Sequence, residues 1–442
     1  MSATPKPAYP LTRFAAIGFA LCAACSIAGC ANNDTAGTGG AGTGGNQTGG
    51  AQGGAGTTGQ GGGEIAGTSG GIAGTSGGTA GTSGSTAGTS GGIGGRGGTG
   101  GRAGTDGRAG TGGTGGGGPA GTAGGAGSMG QAGAGGQNAC PGSTYDAASP
   151  PTTLTLSGSL DAHDPAAYVS GSTIYLAATG LIGKTSTNLT TWNATAAPLL
   201  LPPWAKTATS ATGLWAPDIS YFGGVYHLYY AASTFGSNKS CIGQATRAAL
   251  DSGSWADQGM VLCSNMGETD NWNAIDPNVV VDDAGTPWLE FGSFWSGLKM
   301  VKLNSTGARA DTTLYALANG PNGGGSLEGG WIYKRCGYYY LFSSWGSCCS
   351  GAYDYNIRVG RSTTVTGPYV DMAGKSLMSG GGTLLVTGNA SWVAPGHNAV
   401  ITYNNKTYNI YHALKGSSGG AATLRISELA WDANGWPYSG GP

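Results

Sequence analysis

Five polar residues, Asp164, Asp218, Asp276, Glu328 and His397, each open a stretch that reads as a β-hairpin, and they recur about 50 to 70 residues apart. Three or four carboxylates facing one cavity repel as anions, which pushes their pKa values apart and leaves one base and one acid near neutral pH. Paired carboxyls of this kind are the equipment for breaking glycosidic bonds, and aromatic rings beside them offer faces to sugars. That chemistry requires residues far apart in sequence to converge.

The hairpins show how they could. Asp164 leads through Tyr168-Val169 and a turn at Ser170-Gly171-Ser172 into Ile174-Tyr175-Leu176, and Asp218 through Tyr221-Phe222 and Gly223-Gly224 into Val225–Tyr230. Asp276 leads through Val279–Val281 and Asp283-Ala284-Gly285 into Trp288–Phe291, Glu328 through Trp331–Tyr333 and a turn near Cys336-Gly337 into Tyr338–Phe342, and His397 through Val400-Ile401 and Asn404-Asn405 into Tyr408–Tyr411. The second residue beyond each head is small or compact (Ala166, Ser220, Asn278, Gly330, Ala399). The fourth is apolar in every copy (Tyr168, Phe222, Val280, Ile332, Ile401). Innermost strands that crowd an axis and widen outward need that order. A second pair of β-like runs follows the hairpins, for example Ser240–Ala245 with Gly259–Leu262, and Ile357–Arg361 in the fourth copy. Four strands per copy make a propeller blade, and closed radial repetition protects sheet edges. The expected fold is therefore all-β, a five-bladed β-propeller. A large β-sandwich is the alternative, and it leaves the phase of the polar heads unexplained.

Composition divides the chain. Residues 31–139 are almost wholly Gly, Ala, Thr, Ser and Gln, with a seven-residue unit recurring from Ile65, and such a segment cannot bury enough surface to offset its ordering entropy. It reads as a disordered linker; Gly at this density forbids helix despite the heptad period. All twelve Trp lie beyond residue 190, so residues 140–442 form the aromatic-rich domain with a sizeable core. At the N-terminus, Lys6 and Arg13 precede an apolar run, Phe14–Ala24, with the length of an export-signal core. Residues 1–30 end in Ile27-Ala28-Gly29-Cys30, which resembles a bacterial lipoprotein box with Cys30 as the lipidated residue; ordinary secretion is the alternative. A net charge of -1 and no basic patch exclude nucleic acid as a partner. A monomer is expected, with membrane contact only through the lipid.

Six motifs in order carry a family resemblance: His163-Asp164-Pro165, Trp215-Ala216-Pro217-Asp218, Ala274-Ile275-Asp276-Pro277, Gly292-Ser293-Phe294-Trp295-Ser296-Gly297, Tyr355 to Ser362 with Arg358 and Arg361, and Pro395-Gly396-His397-Asn398. From about Leu154 to Pro437 the chain resembles glycoside hydrolase family 43, and most of all its endo-α-1,5-L-arabinanases. The resemblance implies inversion, with Asp164 as general base, Glu328 as general acid, and Asp276 positioning Glu328 and raising its pKa. The substrate implied is arabinan or a related pectic polysaccharide. Trp215, Phe294 and Trp295 are candidates for sugar subsites, with Asn278, Ser293 and Arg358 as candidate hydrogen-bond partners of sugar hydroxyls. His397 in the resembling enzymes faces a central ion, usually assigned as calcium, completed by water. His163 is expected to orient its neighbours, His227 and His412 to be structural, and Asp218 to be a hydrogen-bonding partner.

One departure stands out: arabinanases commonly follow the acid with Ala or Gly and then Pro, whereas this chain has Glu328-Gly329-Gly330. Beyond Cys30 six cysteines remain, an even number in an exported chain, and Cys241 and Cys263 bound two successive strands whose ends should meet in a disulfide. The pairing of Cys140, Cys336, Cys348 and Cys349 stays open. Two alternatives to an endo-arabinanase remain: an exo-acting α-L-arabinofuranosidase or β-xylosidase, and a non-catalytic glycan-binding propeller.

Overall fold

A computed structural model describes residues 140–442, except 268, 322, 348, 350, 417 and 418. The signal segment, Cys30 and the linker lie outside the described residues.

The five copies form five antiparallel sheets. Blade 1 runs Ala166–Ser170, Thr173–Ala178, Ile182–Ser186 and Thr191–Thr195; blade 2 runs Pro217–Phe222, Val225–Ala232, Cys241–Arg247 and Ala256–Cys263. Blade 3 is Asn278–Val281, Pro287–Phe291, Leu298–Lys302 and Tyr315–Ala318, and blade 4 is Leu327–Arg335, Tyr338–Trp345, Asn356–Ser362 and Thr383–Val386. Blade 5 is Trp392–Tyr403, Lys406–Lys415 and Ala422–Trp431. The innermost strands touch in cyclic order, blade 1 to 2 to 3 to 4 to 5 and back to 1, so the heads surround one axis. Three of the innermost hairpins turn on two residues that both have positive φ, Gly223-Gly224, Cys336-Gly337 and Asn404-Asn405, the geometry that matches strand twist.

Each seam between blades holds its own apolar cluster. Leu228 and Tyr230 meet Leu181 between blades 1 and 2, Leu289 and Phe291 meet Tyr229 and Ile242 between 2 and 3, and Leu298 and Met300 meet Leu341 between 3 and 4. Tyr411 and Leu429 pack on Phe342 and Val359 between 4 and 5, while Ile410 and Ile426 pack on Ile174 and Trp192 across the closing seam. Each of these fully buried side chains contributes about 1.5–3 kcal/mol by leaving water.

Closure joins the two ends of the domain. Ser143–Thr144 pairs in parallel with Ala430-Trp431, and the Leu154 N–H donates to the Ile426 carbonyl while the Leu424 N–H donates to that of Leu160. Pro437–Ser439 pairs with the same strand of blade 5. A disulfide, Cys140–Cys336, ties the first described residue to the hairpin turn of blade 4, and the neighbouring Arg335 guanidinium stacks on Trp431, 4.3 Å from its centre, and donates to the Pro141 carbonyl. Cys241 and Cys263 are disulfide-bonded across the edge pair of blade 2.

Because Cys140–Cys336 closes a loop of 196 residues, Cys336→Ser should lower the unfolding free energy by about 2–5 kcal/mol. Urea unfolding with and without the substitution measures the loss.

Candidate active site

The heads converge through a shared backbone device. Asp164, Asp276 and His397 have φ of +53°, +59° and +46°, and in blade 4 the same left-handed conformation falls on Gly329, the residue after Glu328, at +57°. Such bends cost energy in residues with a Cβ and persist where the surrounding structure over-determines them. At Gly329 the choice of residue is also steric, since a Cβ there would lie 3.0 Å from His397 Nδ1. Gly329, which keeps to the arabinanase pattern, thus carries out the bend beside Glu328, and the departure falls on Gly330.

Asp164 sits in a ring of imidazoles. His397 Nδ1 lies 3.2 Å from its Oδ1, His163 Nδ1 3.2 Å from its Oδ2 and His412 Nδ1 3.7 Å from Oδ1, while the Thr179 hydroxyl donates to Oδ2 at 2.6 Å. Burial works against the charge on Asp164, but the imidazoles outweigh it and hold the carboxyl well below the usual carboxylate range. His412 is not a bystander in a returning strand, as its position suggested: its Nδ1 accepts the Asp164 backbone N–H at 3.1 Å, and burial keeps its pKa well below normal, so it is the neutral ring that fixes the base's backbone. His227 is structural, with Nε2 against the Phe222 carbonyl and Nδ1 against Gln244.

Glu328 is gripped by two hydroxyls. Ser293 donates to Oε2 at 2.6 Å and Tyr355 to Oε1 at 2.9 Å, and the backbone of Ser293-Phe294 pairs with Leu327-Glu328. Burial raises the Glu328 pKa, with these two hydrogen bonds opposing and the Asp164 charge adding to the rise. Asp276 accepts the Gly329 N–H at 3.1 Å, so it holds the segment that carries Glu328. Burial first, then the charges of Glu328 and Asp164 against the attraction of His397, pushes Asp276 up to about 8. Burial thus raises both carboxyls, and the Glu328 charge adds to the rise at Asp276. With its pKa at about 8, Asp276 holds its proton near neutral pH.

Two sugar-binding candidates have other work. Ser293 is spent on Glu328. Asn278 is 1% exposed, with its amide donating to Asp218 Oδ1 at 3.1 Å and its carbonyl accepting the Ile332 N–H at 2.8 Å, so it links the innermost strands of blades 2, 3 and 4. Asp218 also accepts the Val279 N–H and is pushed up to about 7 by burial, against these bonds. Arg358 stacks on Trp345 at 4.9 Å and donates to Asn356. The aromatic candidates keep open faces: Trp215 and Phe294 are half-buried and Trp295 is 38% exposed, the last two with φ of +48° and +37°. Tyr355 and Thr179 were not among the sequence candidates. Tyr355 heads a quoted motif, and its position at the start of the third strand of blade 4 was the available signal.

The surroundings of His397 can be compared with what a metal-ligating histidine requires. Donation of Nδ1–H to Asp164 leaves Nε2 as the ring's free donor atom, the tautomer that ligating histidines adopt when a carboxylate fixes their other nitrogen. Burial opposes the imidazolium, but Asp164, Asp276 and Glu328 hold the His397 pKa up to about 9, so binding an ion displaces a proton. With one imidazole as its protein ligand, such an ion would be held mostly by water.

Asp276 provides a test of these electrostatics. Its folded pKa of about 8 exceeds the unfolded 3.8, so the folded state binds the extra proton and stability falls as pH rises through 8. Asp276→Asn cannot ionise, so its Tm relative to the parent should be higher at pH 9 than at pH 4, as thermal scans at the two pH values measure.

Comparison with known proteins agrees with this geometry. The family model "Glycosyl hydrolases family 43" matches residues 158–437. The chain is 40% identical over 285 residues to the extracellular endo-alpha-(1->5)-L-arabinanase 1 of Bacillus subtilis, covering 62% of this chain and 86% of the relative. It is 38% identical over 299 residues to the extracellular exo-alpha-(1->5)-L-arabinofuranosidase ArbA of Cellvibrio japonicus, covering 63% and 86%. The solved alpha-L-arabinanase of Cellvibrio cellulosa complexed with arabinohexaose superposes with a TM-score of 0.60 at 38% identity, over 63% of this chain and 95% of that one. With its ring of heads, its paired carboxyls and this match, the chain belongs to glycosyl hydrolase family 43.

Proposed function

We propose that the chain is an inverting glycoside hydrolase that cuts the α-1,5-L-arabinofuranosidic links of arabinan within the polymer. The observation that carries this reading is the opposite displacement of two carboxyls whose charges act on one another: Asp164 is held down among imidazoles while Glu328 is raised by burial. Asp164 takes a proton from water as the water oxygen bonds to the anomeric carbon. Glu328 gives its proton to the glycosidic oxygen as the bond from that carbon breaks, and one water is consumed per cut. Asp276 positions Glu328 through the Gly329 N–H. Trp215, Phe294 and Trp295 supply faces for the arabinose rings.

The polymer substrate follows from the named activities of the relatives at 40% and 38% identity, one endo and one exo. Both are named extracellular, which supports export. We place the chain on the cell surface through a lipid on Cys30, with residues 31–139 as a tether.

Linear arabinan hydrolysed by the purified chain should give mixed oligosaccharides with inverted anomeric configuration by proton NMR. Arabinose as the sole early product would favour the exo reading, and binding without cleavage would favour a glycan-binding propeller. Asp164→Asn and Glu328→Gln should each cut kcat by at least roughly 100-fold. Activity should persist into acid until Asp164 takes up a proton, and should fall with rising pH as Glu328, raised by burial, loses its proton.

The reading includes a hydrated calcium ion at His397 that would supply positive charge opposite the carboxyls. Calcium binding by isothermal titration should weaken as pH falls below about 9, where His397 is protonated, and should vanish in His397→Ala.

A further inference from the structure

Glu290 stands apart from the residues used so far. It lies on the second strand of blade 3, paired with Asn278 on one side and Met300 on the other, and is 0% exposed. Neither of its carboxyl oxygens has a hydrogen-bond partner among the described residues. An unpartnered buried acid is costly and unusual, so it needs a reason.

Its neighbour supplies one. A Cβ built on Gly330 would fall 2.5 Å from Glu290 Oε2 and closer still to Oε1, so the carboxyl fills the space that any side chain at position 330 would take. Gly330 lies in the bulge of the innermost strand of blade 4, where Glu328 pairs with Ser344 and Trp331 with Phe342, two residues from the acid. Three residues beyond Glu290 on the same segment, Ser293 donates to Glu328. One stretch of blade 3 thus touches the acid-bearing bulge twice, by a hydrogen bond at Glu328 and by a wedge at Gly330. Burial, with the nearby charges of Asp276 and Asp218, raises the Glu290 pKa well above the usual carboxylate range.

We propose that Glu290 is a positioning residue for the general acid: its carboxyl, complementary to Gly330, fixes the bulge that aims Glu328. The glycine that departs from the arabinanase pattern is then one half of a matched pair. This inference rests on the hydrolase reading, because it concerns where the acid stands.

The test is a double-variant cycle of Glu290→Ala and Gly330→Ala, with Glu290→Gln as the conservative variant. Displacement of a catalytic group by about 1 Å costs on the order of 100-fold, so each alanine variant should lose roughly tenfold or more in kcat with KM changed less than about threefold. The double variant, whose new methyl occupies the emptied space, should recover most of kcat, and Glu290→Gln should stay near the parent. The Tm arm needs no substrate: Gly330→Ala should lower Tm in the parent and less in the Glu290→Ala background. A double variant no better than the worse single variant in both kcat and Tm, or a Glu290→Ala variant with unchanged kcat, overturns the inference. A parent inactive on arabinan instead overturns the substrate reading, and the Tm cycle still decides the pairing of Glu290 with Gly330.

Discussion

Asp164, Asp276, Glu328 and His397 occupy one poorly solvated end of the propeller axis, and their charges cannot be set independently. At such separations in a medium of low effective dielectric, one added charge shifts its neighbours by several kcal/mol. The arrangement that follows keeps the Asp164 pKa low against imidazoles while burial raises Asp276 and Glu328. In the proposed mechanism the roles follow from surroundings: Asp164 is the base beside His163 and His397, and Glu328, raised chiefly by burial, is the acid.

The fold exists to hold those surroundings still. Each blade seam carries its own apolar cluster, and the chain ends are laced into blade 5, so the starts of the innermost strands cannot drift apart. On that frame the left-handed bends at Asp164, Asp276, Gly329 and His397 turn polar groups inward that regular strands would carry past the axis. Hydroxyls complete the work: Thr179 steadies the base, while Ser293 and Tyr355 hold both oxygens of the acid.

The propeller was legible because its period appears five times, with polar heads, small residues and bulky residues in phase. The disulfide between Cys241 and Cys263 was legible because antiparallel strand ends must meet. The roles of Ser293 and Asn278 were not, since each lies near a proposed sugar site in sequence and only the packing of blade 3 on blades 2 and 4 turns them inward. His412 sits in a returning strand like His227, and the two differ only in which neighbour faces them. Glu290 left a faint trace, an acid between Leu289 and Phe291 where both neighbours are core. The paired glycines after Glu328 showed in the sequence only as a departure; in the fold Gly329 serves a left-handed bend and Gly330 makes room for a carboxyl.

The division of labour in this site turns on where the protons reside. Neutron diffraction from deuterium-exchanged crystals at neutral pH would place them directly. Deuterium is expected on a carboxyl of the Asp276–Glu328 pair and none on Asp164. Deuterium on Asp164, with Asp276 and Glu328 both bare, would contradict that division.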